Sequence, residues 1–486
     1  MLGKILMIVP MAAVLATGPV AEAQSASEML EKGIYTEQTL GDLDSAIEIY
    51  GKIVAEAKDA QKYAAEAQFR LAECLLKQGK KDEATEAFEK LIKEFPDQKE
   101  LLAKARQRVP GKAELELVPV PWADGEMLQL DMKMGGGLPI GTIVLTANKA
   151  KLDDRDVWHL QWRRFVTAGG NNQGISRVDA DLETFRPINA SFHHTLLGNF
   201  DAVYTPEEVT IDSVINGKNS QRKEKLDGVV YDNEQGMHLF RRLPLKEGYK
   251  ATLPIYTTFG SGKIDLKSAV TAKETLEVPA GKFECYKLEL TQLHQTFWIS
   301  TDENRYVVKF EAGGVYAELT DIGQSKPGEP IEYHSEAYGI TLSAPSGWNF
   351  YAGPVPGETD QKTVFLLDPE VAASSLVRLY KTSELDDEKK ESPRAWVEED
   401  LPNLEKRFSQ FEVRPDGWKE RTIGGSPAIS MTADYVEGET KMVAYVTYVL
   451  GESTSAGFLV MVDQDRFDEF AKQFETILEG YMVKSL

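Results

Sequence analysis

The sequence predicts a multidomain α + β protein. It reads as N-terminal α-helical repeats, then a central antiparallel β-rich curved sheet or half-barrel, then a C-terminal α/β sandwich on an antiparallel sheet. Three observations carry this reading. Small and apolar residues recur at helical spacing from about 27 to 109, then give way to two-residue alternation punctuated by turn signals. Beyond about 331, short strands alternate with two amphipathic helical stretches. A length of 486 residues leaves room for about three domains at ~150 residues each.

The amino terminus reads as a secretory signal over 1–23. Lys4 gives the positive start, Ile5 to Ala16 an apolar run, and Ala21-Glu22-Ala23 a small-x-small cleavage site. The run is short and interrupted by Pro10, which disfavours a membrane span. No cysteine follows it, so there is no lipid-attachment site of the bacterial lipoprotein kind. The alternative is an uncleaved anchor. With cleavage, the mature chain is expected to be periplasmic or secreted, with no integral membrane segment. The formal charge of −22 repels phosphate backbones, and no long basic run offsets it, so nucleic acid is not an expected partner. Cys74 falls mid-helix and Cys285 mid-strand in different regions. They read as two small buried hydrophobes rather than a disulfide or redox pair.

Residues 27–109 repeat with a period close to that of one known helical unit. The clearer unit is AAEAQFRLAECLLKQGKKDEATEAFEKLIKEFP. Leu71 and Ala72 give the first helix a large and then a small residue, Leu75 takes an aromatic position, and Gly79 begins the turn. Ala84, Phe88 and Leu91 form the second helix's ridge, and Pro96 closes the unit. Ala46, Tyr50 and Ile53 echo that ridge in an earlier unit, whose first helix is irregular around Ile34 to Thr39, as an end unit would be. Residues 97–108 read as a capping helix with a basic end, which suits the helix dipole. This pattern resembles the tetratricopeptide repeat family, with Gln68 where a tryptophan is expected. The resemblance implies a concave side, lined by the first helix of each unit, that binds a protein or peptide. Carried onto this sequence, it makes Glu66, Phe69, Glu73, Leu76 and Lys77 the candidate binding residues. The alternative is a spacer or a dimer contact.

Val109-Pro110-Gly111-Lys112 marks a boundary, and residues 113–323 follow as a β-rich region. Leu128, Leu130, Met132 and Met134 alternate with polar residues, as do Trp158, Leu160 and Trp162. Further strands are expected at 174–179, 190–195, 201–211, 228–232, 237–243 and 269–278, about ten in all. Val278-Pro279-Ala280-Gly281 turns the chain between two strands. Phe283 and Cys285 are out of phase with Tyr286, Leu288 and Leu290, which predicts a bulge or a bend. The pieces PWADGEMLQLDMKMGGGLPIGTIVL, RVDADLETFRPI, VPAGKFECYKLEL and FWISTDENRYVVKFE resemble domain-of-unknown-function family 3108. That resemblance implies export and a β-rich fold, but no activity.

No catalytic constellation is present in the sequence. His193 and His194 are adjacent and face opposite sides of a strand, so they do not share a metal. His159 and His238 read as structural. Asp153, Asp154 and Asp156 lack a calcium-loop pattern, and nothing marks Asp179 or Asp181 as a shifted acid. No cofactor and no metal are expected. The Met-rich strand at 127–134, with Trp158, Trp162 and Trp298, suits either an apolar groove or simple core filling.

After the linker at 324–330, residues 331–486 carry strands at 340–344, 364–367 and 376–380. Ser392-Pro393 starts a helix bearing Trp396, Leu401, Leu404 and Phe408. Strands follow at 427–436, 440–449 and 456–462, then a last helix with Phe467, Phe470, Phe474, Ile477 and Leu478 on one stripe. This order, with Pro345-Ser346-Gly347-Trp348 after the first strand, resembles the PsbP-like fold. The functional expectation is an exported, non-catalytic envelope protein that binds another protein through its repeats. The alternative is a carrier or sensor of an apolar envelope ligand in the β region. A hydrolase would need a cleft gathering two carboxylates, or a histidine with a nucleophile.

Overall fold

A computed structural model describes residues 25–56, 60–109, 115–167, 172–226, 228–260, 262–353, 355, 361–371 and 373–483. The signal expected at 1–23 lies outside them. The chain forms two compact units, Met1–Ala113 and Glu114–Leu486.

The first unit is helical: α1 (Ala26–Tyr35), α2 (Leu43–Glu56), α3 (Gln61–Lys77), α4 (Lys81–Glu94) and α5 (Lys99–Arg108). Ser25 caps α1 in a capping box with Glu28. The irregular stretch is a π-helical turn at Thr36–Leu40. The two repeat ridges are packed as their spacing requires. Ala46, Tyr50, Ala84, Phe88 and Leu91 are wholly buried, and Ile53 nearly so. Gln68, in the expected tryptophan's place, donates to Ala87 O of α4 at 2.8 Å. Gly79 turns the chain at a φ of 77°, where a side chain would be strained.

The second unit begins with a 15-stranded sheet. Its strands are β1 (Glu126–Met134), β2 (Leu138–Leu152), β3 (Arg155–Val166), β4 (Asn172–Asp181), β5 (Pro187–His194), β6 (Gly198–Tyr204), β7 (Glu208–Ile215) and β8 (Lys218–Lys225). These are followed by β9 (Tyr231–Asp232), β10 (Lys250–Thr257), β11 (Gly262–Val278), β12 (Gly281–Leu290), β13 (Gln295–Ser300), β14 (Val307–Ala312) and β15 (Val315–Gln324). The order β8-β7-β6-β5-β4-β3-β2-β1-β15-β14-β13-β12-β11-β10-β9 makes β1 and β15 the central pair. All pairings are antiparallel except β9 with β10. The far ends curl toward each other: Arg222 of β8 donates to Thr258 O, just past β10, at 2.9 Å. The sheet is therefore a half-barrel with two free edges.

Its interior is filled. The stretch 237–243, expected to be a strand, is helix α6 (Gly236–Arg241) instead. The reason lies just upstream, where Asp232 and Gln235 form a capping box that starts a helical turn. Only Tyr231–Asp232 of the expected strand at 228–232 is extended, and 201–211 divides into β6 and β7. Leu239 and Phe240 of α6 join Trp158, Leu160, Leu128 and Leu145 in one core. Arg241 has no exposure. It donates to Glu126 at 2.5 and 3.1 Å and to the carbonyls of Asn304 and Arg305 at 2.8 and 2.9 Å. The phase slip near Cys285 has its bulge in the neighbouring strand: β11 carries Thr271 as the extra residue opposite Lys287 and Leu288.

The rest of the unit is the expected sandwich. A small sheet orders β16 (Ile331–Ser335), β17 (Ile340–Ala344) and β25 (Met482–Val483). A seven-stranded sheet runs β18 (Asn349–Tyr351), β19 (Thr363–Leu367), β20 (Ala373–Lys381), β24 (Thr454–Asp463), β23 (Thr440–Val449), β22 (Ser426–Glu437), β21 (Ser409–Ile423). After the short α7 (Asp387–Glu391), helix α8 (Pro393–Arg407) starts on a Ser392 cap at 3.1 Å. It buries Trp396 against Ile429, Met431 and Val446. Helix α9 (Phe467–Glu479) packs Phe474, Ile477 and Leu478 on the opposite face. Strand β21 was not foreseen, because Pro415, Asp416 and Gly417 break its alternation; its register shifts across them. The sandwich docks on the outer face of β3 and β4. Buried Arg163 donates to Leu367 O at 2.6 Å and Gly347 O at 2.7 Å. Phe165 packs against Phe365 with ring centroids 4.7 Å apart.

Removing Glu126 would leave the Arg241 cation buried without its counter-charge. Glu126→Ala is expected to cost about 3–5 kcal/mol in a denaturant titration of the whole chain. Asp156→Ala breaks a pair whose side chains are 65% and 61% exposed and should leave the transition unchanged.

Candidate functional site

The repeat unit presents a groove beside α3. Its central group is one that sequence reasoning missed: Glu37, in the π-helical turn, is only 7% exposed. Tyr50 donates to it at 2.8 Å, Lys77 at 2.6 Å and Arg70 at 3.4 Å. Burial pushes the Glu37 carboxyl up, but the Lys77 and Tyr50 hydrogen bonds and the two cations outweigh it. The group sits below its ordinary range. The π turn matters because it sets Glu37 on the same side as the α3 row.

Of the candidate residues, Glu66, Phe69, Glu73 and Lys77 line a groove of about 220 Å³ with Glu37, Leu101 and Lys104. Leu76 lies apart from it and packs on the helical core. Phe69 makes an edge-to-face contact with Phe88 at 5.6 Å, so it is also a packing residue. Glu66 holds Arg70 at 2.8 Å, and Glu73 holds Arg108 of α5 at 2.8 Å. A second hollow of about 460 Å³, lined by Tyr63, Glu66, Leu101 and Lys104, continues the surface. The face therefore offers charges of both signs, with Phe69 and Leu101 as apolar footholds.

Inside the half-barrel, the structure gathers two carboxyls. Asp232 and Glu234 are 0% and 5% exposed. Tyr204 and Thr258 donate to Asp232, which also accepts from Glu234 N at 2.7 Å. Ser176 donates to Glu234, and Asn233 does so at 3.1 Å. Both carboxyls are spent on starting α6 and tying it to the wall. Burial, with the neighbouring Asp232 charge, pushes Glu234 up to about 7. His194 and His238 are pushed by burial, and by nearby arginines, down to about 4 and about 3. His193 bonds Asp201 at 3.0 Å while His194 accepts from Leu196 N at 3.0 Å, each on its own side of β5. His159 bonds Asp179 at 2.8 Å. Cys74 and Cys285 are buried free thiols, and Cys285 Sγ donates to Phe283 O at 3.8 Å. Burial pushes the Cys74 thiol up to about 11 and the Cys285 thiol up to about 12. Among the described residues, no three His, Cys, Asp or Glu groups are placed to hold a metal. Trp158 meets Trp122 at 5.8 Å and Trp298 is 6% exposed, so these tryptophans fill core rather than line a groove.

Residues 39–109 match the tetratricopeptide repeat family, and residues 129–320 match DUF3108, a family of proteins of unknown function. No curated protein matches it in sequence. Among solved structures, cyanobacterial PsbP from Synechocystis sp. PCC 6803 is similar at 15% identity over 33% of this chain and 96% of that one, with a TM-score of 0.26. LpqN, involved in cell envelope biogenesis of Mycobacterium tuberculosis, is similar at 16% identity, over 32% of this chain and 91% of that one, TM-score 0.25. Immunity protein TplEi of T6SS from Pseudomonas aeruginosa is similar at 12% identity over 59% and 95%, TM-score 0.21. None of these three likenesses bears on function. No described helix is long and apolar enough to cross a membrane.

The buried acid makes a pH prediction with a definite sign. Folded Glu234 holds its proton up to about pH 7, whereas a free glutamate carboxyl gives it up near 4.5. Between those values the folded state binds the extra proton, so stability falls as pH rises. In urea titrations at pH 5 and 7.5, Glu234→Gln should reduce the loss seen in the parent chain. The histidines act in the opposite direction and are common to both proteins.

Proposed function

We propose that this chain is an exported, non-catalytic envelope protein that holds a protein or peptide partner on the concave face of its repeats. One observation carries the reading: Glu66, Phe69, Glu73 and Lys77 of α3 share a groove with Lys104 of α5. Charges of both signs beside apolar footholds suit a peptide, whose side chains and backbone need both kinds of contact. Export rests on the leader-like pattern at 1–23, which would deliver the mature chain to a periplasm or the medium. The non-catalytic part rests on how the chemistry-bearing groups are used. Asp232 and Glu234 brace a helix, and His159 and His193 are each held by one aspartate.

Affinity capture from an envelope fraction tests the reading. The intact chain, a chain lacking 24–110, and the full-length Glu66→Lys/Glu73→Lys variant are compared. Deletion should abolish a specific partner, and the double charge reversal should reduce its recovery about tenfold or more, as the loss of two charge-assisted contacts implies. The same partners at the same yield from all three would overturn it.

A further inference from the structure

On the outer face of β1 to β3 there is a second groove, of about 620 Å³, a volume typical of small-molecule sites. The strand register assembles one wall. Met127 pairs with Thr146 and Thr146 with Gln161, while the neighbouring Asn148 pairs with His159. Alternation puts all five side chains on the outer face. The facing wall is apolar, formed by Ile331, Tyr333 and Phe350, with the two rings 5.9 Å apart.

Asn148 is the informative residue. It is only 9% exposed, it lines the groove, and its Oδ1 is buried with no hydrogen-bond partner. A buried amide oxygen left unpaired is costly, and an ordered water or a ligand group that reaches it relieves that cost. His159 adds a second polar group with fixed orientation, since Asp179 holds its Nδ1 at 2.8 Å and leaves Nε2 to the groove. Charged side chains border the groove, among them Lys149, whose ammonium lies 5.7 Å from the Trp158 ring centroid. Lys326 meets Glu329 at 3.5 Å, Glu332 meets His334 at 3.3 Å, and Arg163 at the base is bound to the Gly347 and Leu367 carbonyls.

A ligand for this groove needs one face of paired donors and acceptors and one apolar face. A pyranose ring has these properties: hydroxyls that both donate and accept, and C–H faces that lie against aromatic rings. We propose that the groove binds an oligosaccharide, held by Asn148, Gln161 and His159 against Tyr333 and Phe350. An acyl chain would leave Asn148 unpaired. This site is separate from the repeat face and stands or falls independently of it.

The test is a titration of the full mature chain with chitotriose, maltotriose and cellotriose, read by saturation-transfer NMR, with palmitate as the apolar competitor. At least one trisaccharide should bind and raise the melting temperature. Asn148→Leu and Gln161→Leu should each weaken it about tenfold, the loss of one good hydrogen bond. Gln161 is half-exposed, so its variant keeps the test open if Asn148→Leu fails to fold. No binding of the three at several millimolar, undiminished binding in Gln161→Leu, or displacement of the sugar by palmitate would overturn the proposal.

Discussion

The buried bond between Arg241 and Glu126 is the constraint on which the second unit depends. A guanidinium with no exposure is tolerated only where its donors are all met. Here a carboxylate and two carbonyls accept four hydrogen bonds from it, and the Trp122 ring covers one face at 5.0 Å. Those partners come from the start of β1 and from the turn before β14, so one side chain fixes α6 to both places. At the other end of the helix, the Asp232 capping box ties it to β6 and to the turn after β10 through Tyr204 and Thr258. Between these two anchors the apolar residues of α6 fill the half-barrel.

A filled half-barrel leaves its outer face as the surface open to contacts. The outer face of β3 and β4 receives the sandwich through Arg163 and Phe165. Next to that contact, the outer face of β1 to β3 stays partly open, and its polar residues gather there because strand register puts them side by side. The repeat unit offers a different surface, built on helices and bordered by ion pairs.

Much of this was legible in the sequence, for identifiable reasons. The ridges Ala46-Tyr50-Ile53 and Ala84-Phe88-Leu91 could be read because helical spacing puts each on one face, and all six are buried. Strands such as β1 and β3 could be read because each has one wet face. Helix α6 could not, because its six residues face core on nearly every side and so show no clear period. The capping box at Asp232 was the available signal. Strand β21 was hidden by a Pro-Asp-Gly interruption that the strand absorbs as a register shift. Glu37 was missed because its role comes from a π turn, which moves it toward α3 in a way regular spacing does not reveal. The groove over β1 to β3 joins residues more than 150 positions apart in sequence, Met127 to Phe350 among them, and only the tertiary fold brings them together.

The claim that the half-barrel is a solid body rather than a container is tested most directly by hydrogen–deuterium exchange on the intact chain. If α6 is a locked plug, amides in 236–241 will exchange as slowly as those of the central strands β1 and β15. Fast exchange in α6 while β1 and β15 stay protected would show a mobile helix over an open interior, and would contradict the account.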